Sequence, residues 1–225
     1  MTIAANVAAA RERIAAACAQ VGRQPSEVRI VAASKTQPAS AIAEAIAAGV
    51  DAIGENRVQE AAEKQPLLTG GTPWHLIGPL QRNKAKLALE LFDLVETIDR
   101  AELADRLETL LAPGDRVLPV FIELNIGEEP QKSGVLPAQA AALAEHLAAR
   151  CPHLHLAGVM AVPPFDPDPE RSRPHFVRLR ELAARLGQRL ETSMGMSEDF
   201  AVAVEEGATI VRLGRVLFGE RVTTR

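Results

Sequence analysis

Eight short runs of β-branched and other apolar residues, each followed by a longer alanine- or leucine-rich stretch, limit the folds open to this chain. The runs lie at 28–33, 52–54, 75–78, 94–98, 117–125, 154–162, 191–193 and 209–213. Helical spacing fills the intervals near 38–49, 56–64, 80–91, 100–111, 137–150, 168–187 and 197–206. Parallel neighbouring strands need a crossover connection, and a helix after every strand supplies one. Eight such units in 225 residues predict an α/β fold, a single (β/α)8 barrel of the TIM type with 1–225 as one domain. A doubly wound open sheet is the alternative. An amphipathic helix over 3–20 should lead into the first strand, and a short closing segment should begin at Phe218. The proline-rich stretch 163–169 resembles a linker, but it opens a helical stretch and is expected to form a long loop over the barrel mouth.

Composition removes several function classes. Twenty-five basic against 29 acidic residues give a net charge of -4 with no long basic run, so no nucleic-acid partner is expected. Two cysteines, Cys18 and Cys151, are too few for a disulfide framework or a cysteine-rich zinc site. The alanine-rich start is broken by Arg11, Glu12 and Arg13, unlike a signal peptide, and no apolar run reaches membrane-spanning length. No membrane partner and a cytoplasmic location are therefore expected. There is no tyrosine, which excludes any mechanism needing a phenolic hydroxyl.

Only five lysines occur, and Lys35 closes the first apolar run. Barrel sites are built at the carboxyl ends of the strands. An amine there, flanked by apolar residues, would lose hydration, favouring the neutral form that attacks a carbonyl to make a Schiff base. The plainer alternative is an ordinary lysine at a strand end. Asn56, after the second run, is either a helix cap or a site residue. His75, in the third, is either a hydrogen-bonded core group or a base. The last two runs lead into Ser193, Gly195, Arg212, Gly214 and Arg215. Loops after strands seven and eight of a barrel often hold a phosphate, with glycines letting backbone N–H groups approach. A Schiff-base lysine on strand one and a phosphate cradle on strands seven and eight, neighbours in a closed barrel, together describe pyridoxal 5'-phosphate.

The chain resembles the pyridoxal-phosphate homeostasis proteins, also called the proline-synthetase co-transcribed family. The resemblance rests on the stretches at 31–36 (VAASKT), 54–60 (GENRVQE), 74–84 (WHLIGPLQRNK), 128–134, 193–197 (SMGMS) and 212–219, in that order over nearly the whole chain. It implies a single barrel similar to the amino-terminal domain of alanine racemase, with the cofactor bound as an aldimine on Lys35. It also implies phosphate contacts from Ser193, Gly195 and the backbone of 212–215, Arg212 facing the pyridine ring, and Asn56 nearby. The implied role is to buffer the cofactor and deliver it to apo-enzymes, without turnover.

Residue chemistry agrees with a carrier. Racemases of this fold resemble a two-base scheme that uses a tyrosine, which this chain lacks. Arginine does not give up its proton, so a pyridine nitrogen facing Arg212 stays unprotonated and the ring is a weaker electron sink. The competing reading is a pyridoxal-phosphate-dependent racemase or decarboxylase completed by a partner chain; a third is a cofactor-free phosphosugar barrel enzyme. A monomer is expected, with a dimer as the alternative. Lys132, in the loop after strand five, is either a second attachment point or a solvated loop lysine.

Overall fold

The protein is described by a computed structural model covering residues 2–187 and 189–219. Eight parallel strands close on themselves in sequence order: β1 (Arg29–Ala33), β2 (Ala52–Glu55), β3 (Trp74–Leu76), β4 (Leu94–Ile98), β5 (Leu118–Leu124), β6 (Leu154–Ala161), β7 (Glu191–Ser193) and β8 (Ile210–Leu213). The seam closes where Val31 of β1 pairs with Arg212 of β8. The barrel is thus closed, and the open-sheet alternative falls.

The helices are α1 (Ile3–Gln20), α2 (Ala39–Ala47), α3 (Val58–Lys64), α4 (Ala85–Leu91), α5 (Ala101–Leu111), α6 (Ala140–Arg150), α7 (Arg173–Leu186), α8 (Phe200–Glu205) and α9 (Arg215–Phe218). Three of the long stretches expected to be helical open instead with a 3-10 turn, at Arg82–Lys84, Pro137–Gln139 and Pro169–Ser172. In the last two a proline occupies the first position, where a missing N–H costs nothing. The closing segment is α9, which starts at Arg215 rather than at Phe218; residues 220–225 lie outside the described ones.

Two apolar layers hold the barrel. Val31, Ala52, Leu94, Phe121, Met160 and Ile210 fill its interior at mid-height. A larger layer packs between the outer faces of the strands and the helices, including Ile30, Ile53, Val95, Phe176 and Phe200. Burying each large side chain contributes about 1.5–3 kcal/mol. Helix α1 lies outside the barrel across the β8–β1 seam. Its Asn6 donates to the Leu217 carbonyl at 2.8 Å, and Arg11 pairs with Asp51 at 2.7 Å. Its Arg13 guanidinium stands 4.2 Å over the Phe200 ring. No helix among the described residues is long and apolar enough to cross a membrane.

Candidate functional site

Strand β1 ends at Ala33, two residues before Lys35, so the lysine sits in a turn and not on the strand itself. The ladder continues for one bond, Ser34 N–H to the Gly54 carbonyl at 2.9 Å. The Gln37 N–H then returns to the Ser34 carbonyl at 3.0 Å. Thr36 has φ 65, in the left-handed region that costs a β-branched residue about 1–3 kcal/mol. The conformation is held from the neighbouring unit: Glu60 accepts the Thr36 N–H at 3.0 Å, and Lys64 donates to the Ser34 carbonyl at 3.0 Å. Lys64 also binds the fully buried Glu55 at 2.7 Å, and Glu55 accepts the Ser34 hydroxyl at 2.7 Å. Lys35 is therefore presented by a turn fixed from β2 and α3. It is half-buried and lines a cleft of about 270 Å3 at the carboxyl end of the strands.

Asn56, Arg212, Gly214 and Arg215 line the same cleft, with Ile77, Val162, Ser197 and Phe165. Asn56 is placed by close backbone packing: a Cβ on Gly78 would stand 2.4 Å from the Asn56 carbonyl oxygen. The expected loop over the mouth is present, and its Phe165 is 81% exposed at the cleft rim. A larger groove of about 940 Å3 runs outward from Lys35 past Arg57, Gln81 and Lys84, but the loops after β7 and β8 do not reach it.

Between the cleft and the apolar interior layer lies a charged layer that joins Arg212, Ser193 and His75 to two carboxylates not singled out in the sequence, Glu96 and Glu123. Arg212 is buried, donating to the Ser193 hydroxyl at 2.6 Å and the Ala161 carbonyl at 2.8 Å. Ser193 in turn donates to Glu96 Oε2 at 2.5 Å, and His75 Nδ1 donates to Glu96 Oε1 at 2.8 Å. Glu96 is fully buried and lies 3.9 Å from the Arg212 guanidinium. Burial alone would raise its carboxyl. The bond and charge of His75, with Arg212 and Ser193, outweigh that and hold it below the ordinary range. Glu123 on β5 has the opposite fate. Burial and the Asp99 charge push it up to about 7 against the pull of Arg212, and its Oε2 has no hydrogen-bond partner. Burial lowers the Arg212 pKa, against the charges of Glu96, Glu123 and Asp199. His75 is thereby a hydrogen-bonded core group.

Ser193 and Gly195 are not among the residues lining the cleft. The Ser193 hydroxyl is fully buried between Glu96 and Arg212, below the cleft rather than on its wall. Its donor is spent because β7 ends there, with its side chain turned into the barrel. Gly195 has φ +91, and a Cβ there would meet Ala203 Cβ at 2.6 Å and Phe200 Cα at 2.9 Å. Its lack of a side chain serves the packing of α8 under the loop. The serine on the cleft wall is Ser197, whose hydroxyl accepts the Val216 N–H at 3.3 Å and so ties the loop after β7 to α9. Arg215 is exposed and pairs with Glu198 at 2.5 Å. Lys132 lies outside the cleft lining. It donates to the Pro163 carbonyl at 3.0 Å and pairs with Glu129, joining two mouth loops instead of standing in solvent.

The alanine racemase N-terminal domain family is matched over residues 5–222. The pyridoxal phosphate homeostasis protein of Pseudomonas aeruginosa is 45% identical, over 98% of this chain and 96% of its own. That of Escherichia coli K12 is 43% identical, covering 97% of each. The chain belongs to the pyridoxal phosphate homeostasis protein family. A solved structure of PipY from Synechococcus elongatus with pyridoxal phosphate bound superimposes with a TM-score of 0.80. It is 38% identical and is matched over 92% of this chain and 100% of that one. Membership of this family accounts for the closed barrel, since its fold is that of the alanine racemase amino-terminal domain.

Proposed function

We propose that this chain holds pyridoxal 5'-phosphate at the barrel mouth, with Lys35 as the point of covalent attachment, and takes part in the homeostasis of that cofactor in the cytoplasm. The observation that carries the reading is a shared cleft: half-buried Lys35 lines the same 270 Å3 space as Arg212, Gly214 and Arg215. That volume is at the lower end of small-molecule sites, which run from roughly 300 Å3 upward, and suits one substituted ring. When bound, the group supplies an aldehyde carbon that accepts a primary amine.

The chain's own residues divide the work. Lys35 supplies the amine, from a turn that Glu60 and Lys64 keep in place. Arg212, clamped by Ser193 and the Ala161 carbonyl, presents a rigid donor that cannot release its proton to a ring nitrogen. Gly214 leaves open the room in which backbone N–H groups approach a phosphate. A Cβ there would reach no atom closer than 3.5 Å, so the packing of the chain does not itself demand the glycine. Ser197 and Arg215 add a hydroxyl and a charge at the same wall, and Asn56 lines the same cleft. Gly195 and Ser193 lie behind this wall, Gly195 packed against α8 and Ser193 bound to Glu96 and Arg212.

The role is carriage without turnover, by a chain acting as one domain over 1–225 and as a monomer that passes its cargo to apo-enzymes. The sequence contains no tyrosine to serve as a second base, and the cleft at the mouth leaves Lys35 only half-buried, which suits exchange better than carbanion chemistry. The test is an absorbance spectrum with pyridoxal phosphate, followed by borohydride reduction and peptide mapping. Label on Lys35, and loss of the visible band in Lys35→Ala, are expected. Label confined to another lysine would overturn the attachment point. Amino-acid racemisation or decarboxylation at about 1 per second or faster would overturn carriage without turnover.

A further inference from the structure

On the outer face of the barrel, α5 and the end of α6 bring three different ligand types together. Asp105 on α5, His146 on α6 and Cys151 just after α6 each turn a donor atom to one point. All three atoms lie within 4.8 Å of one another. Asp105 Oδ1 stands 2.7 Å from His146 Nε2. Cys151 is 1% exposed, and its sulfur lies near a carboxylate and an imidazole without a hydrogen bond to a described residue.

The loop carrying the thiol is fixed. Glu108, one turn along α5 from Asp105, accepts the His153 N–H at 2.9 Å and pairs with His153 Nδ1 at 2.6 Å. The Cys151 N–H is bound to the Leu147 carbonyl at 3.0 Å, and its carbonyl accepts from Leu154 at 2.9 Å. Cys151 is thus held from α5, α6 and the start of β6 at once. Such outer support orients metal ligands before the ion arrives.

We propose that Asp105, His146 and Cys151 form a binding site for a borderline-soft divalent ion of the zinc class, with water in the fourth position. One sulfur, one imidazole nitrogen and one carboxylate oxygen select against magnesium and calcium, which take oxygen ligands. The exposed Asp105 side leaves an entry path and room for the water. On binding, the Cys151 thiol releases its proton to solvent and binds as thiolate. His146 moves its ring proton to Nδ1 so that Nε2 donates its lone pair. Tetrahedral bonds of about 2.0–2.3 Å put the donors roughly 3.3–3.7 Å apart. From the present 2.7 Å, the Asp105–His146 pair must therefore open by about 0.6–1.0 Å, and the sulfur, now within 4.8 Å, must close in by at most about 1.5 Å. The site precedes β6, at the end of the barrel opposite Lys35, so it stands apart from the cleft and ties α5 to α6.

The test is a cobalt(II) titration of the tag-free full chain after treatment with a chelator. One equivalent should give tetrahedral visible bands and a thiolate-to-metal charge-transfer band in the near ultraviolet, both removed by zinc. Cys151→Ser should lose the charge-transfer band. Asp105→Asn, at an exposed position that leaves the fold intact, should weaken binding at least about tenfold. Cys18→Ser should change nothing. Absence of the thiolate band in the parent protein, its survival in Cys151→Ser, or unchanged affinity in Asp105→Asn would each overturn the site.

Discussion

Glu96→Gln removes one charge from the barrel interior while keeping the shape of the side chain. In the native protein Glu96 is fully buried, accepts from His75 and Ser193, and stands 3.9 Å from Arg212. Losing one partner of a buried ion pair costs about 3–5 kcal/mol, because the other charge is left uncompensated. Glutamine still offers an acceptor to His75 or Ser193, so the loss should fall near about 3 kcal/mol. For a domain of this size that lowers Tm by roughly 6–12 °C. The assay is urea and thermal unfolding followed by circular dichroism at pH 7. The control is Glu198→Gln, which breaks the exposed pair with Arg215 and should cost under about 1 kcal/mol. The pH dependence has a definite sign. The Glu96 carboxyl is held below its ordinary range, so its contribution is present above the unfolded value near about 4.3 and fades as pH falls through the folded one. The gap between parent and variant should therefore narrow in acid. A loss no larger than that of Glu198→Gln, or a gap that widens in acid, would refute the charged layer as the anchor of Arg212.

Glu123 should behave in the opposite sense. Its folded pKa of about 7 lies above the unfolded value, so the group favours folding in acid and opposes it as pH rises from about 4.3 through 7. Glu123→Gln should match the parent below pH 4 and exceed it above pH 7 by at most about 4 kcal/mol in urea unfolding. Two glycines separate scaffold from site. Gly195→Ala should destabilise the ligand-free protein by about 1–3 kcal/mol, given its positive φ and the 2.6 Å clash with Ala203. Gly214→Ala meets nothing closer than 3.5 Å and should leave stability within about 0.5 kcal/mol while weakening retention of pyridoxal phosphate in an equilibrium dialysis assay.

The barrel was legible because its signal is redundant. Strands β4 and β7 coincide with the runs at 94–98 and 191–193, and β1 and β8 begin one residue later than their runs. Strand β3 stops at Leu76, earlier than its run, since Gly78 and Pro79 carry the chain toward Asn56 and away from the ladder. Of the residues singled out in the sequence, Lys35, Asn56, Arg212, Gly214 and Arg215 come together on one cleft. Ser193 and Gly195 fall outside the cleft lining, Ser193 between Glu96 and Arg212 and Gly195 against α8. The carboxylates of the charged layer were overlooked although a signal existed. Glu96 and Glu123 interrupt otherwise apolar strands, and a parallel barrel strand is buried on both faces, so a carboxylate at mid-strand needs a partner inside. Which partner could not be read from the chain, because Glu96 and Ser193 are 97 residues apart.

The seam between β1 and β8, with α1 laid across it, makes the cleft a product of closure. Lys35 and Arg212 are at opposite ends of the chain, and no fragment lacking either end holds both walls. During synthesis the lysine turn emerges early, and its counterpart arrives only with the last strand. A molecule that bridges the two binds the closed form alone and so adds its binding free energy to folding. On the proposed reading, a bound pyridoxal phosphate would be a clasp in this sense, and a barrel without it should open more readily at this seam than anywhere else. Amide exchange in β1 and β8 should then report, strand by strand, how loaded the population is.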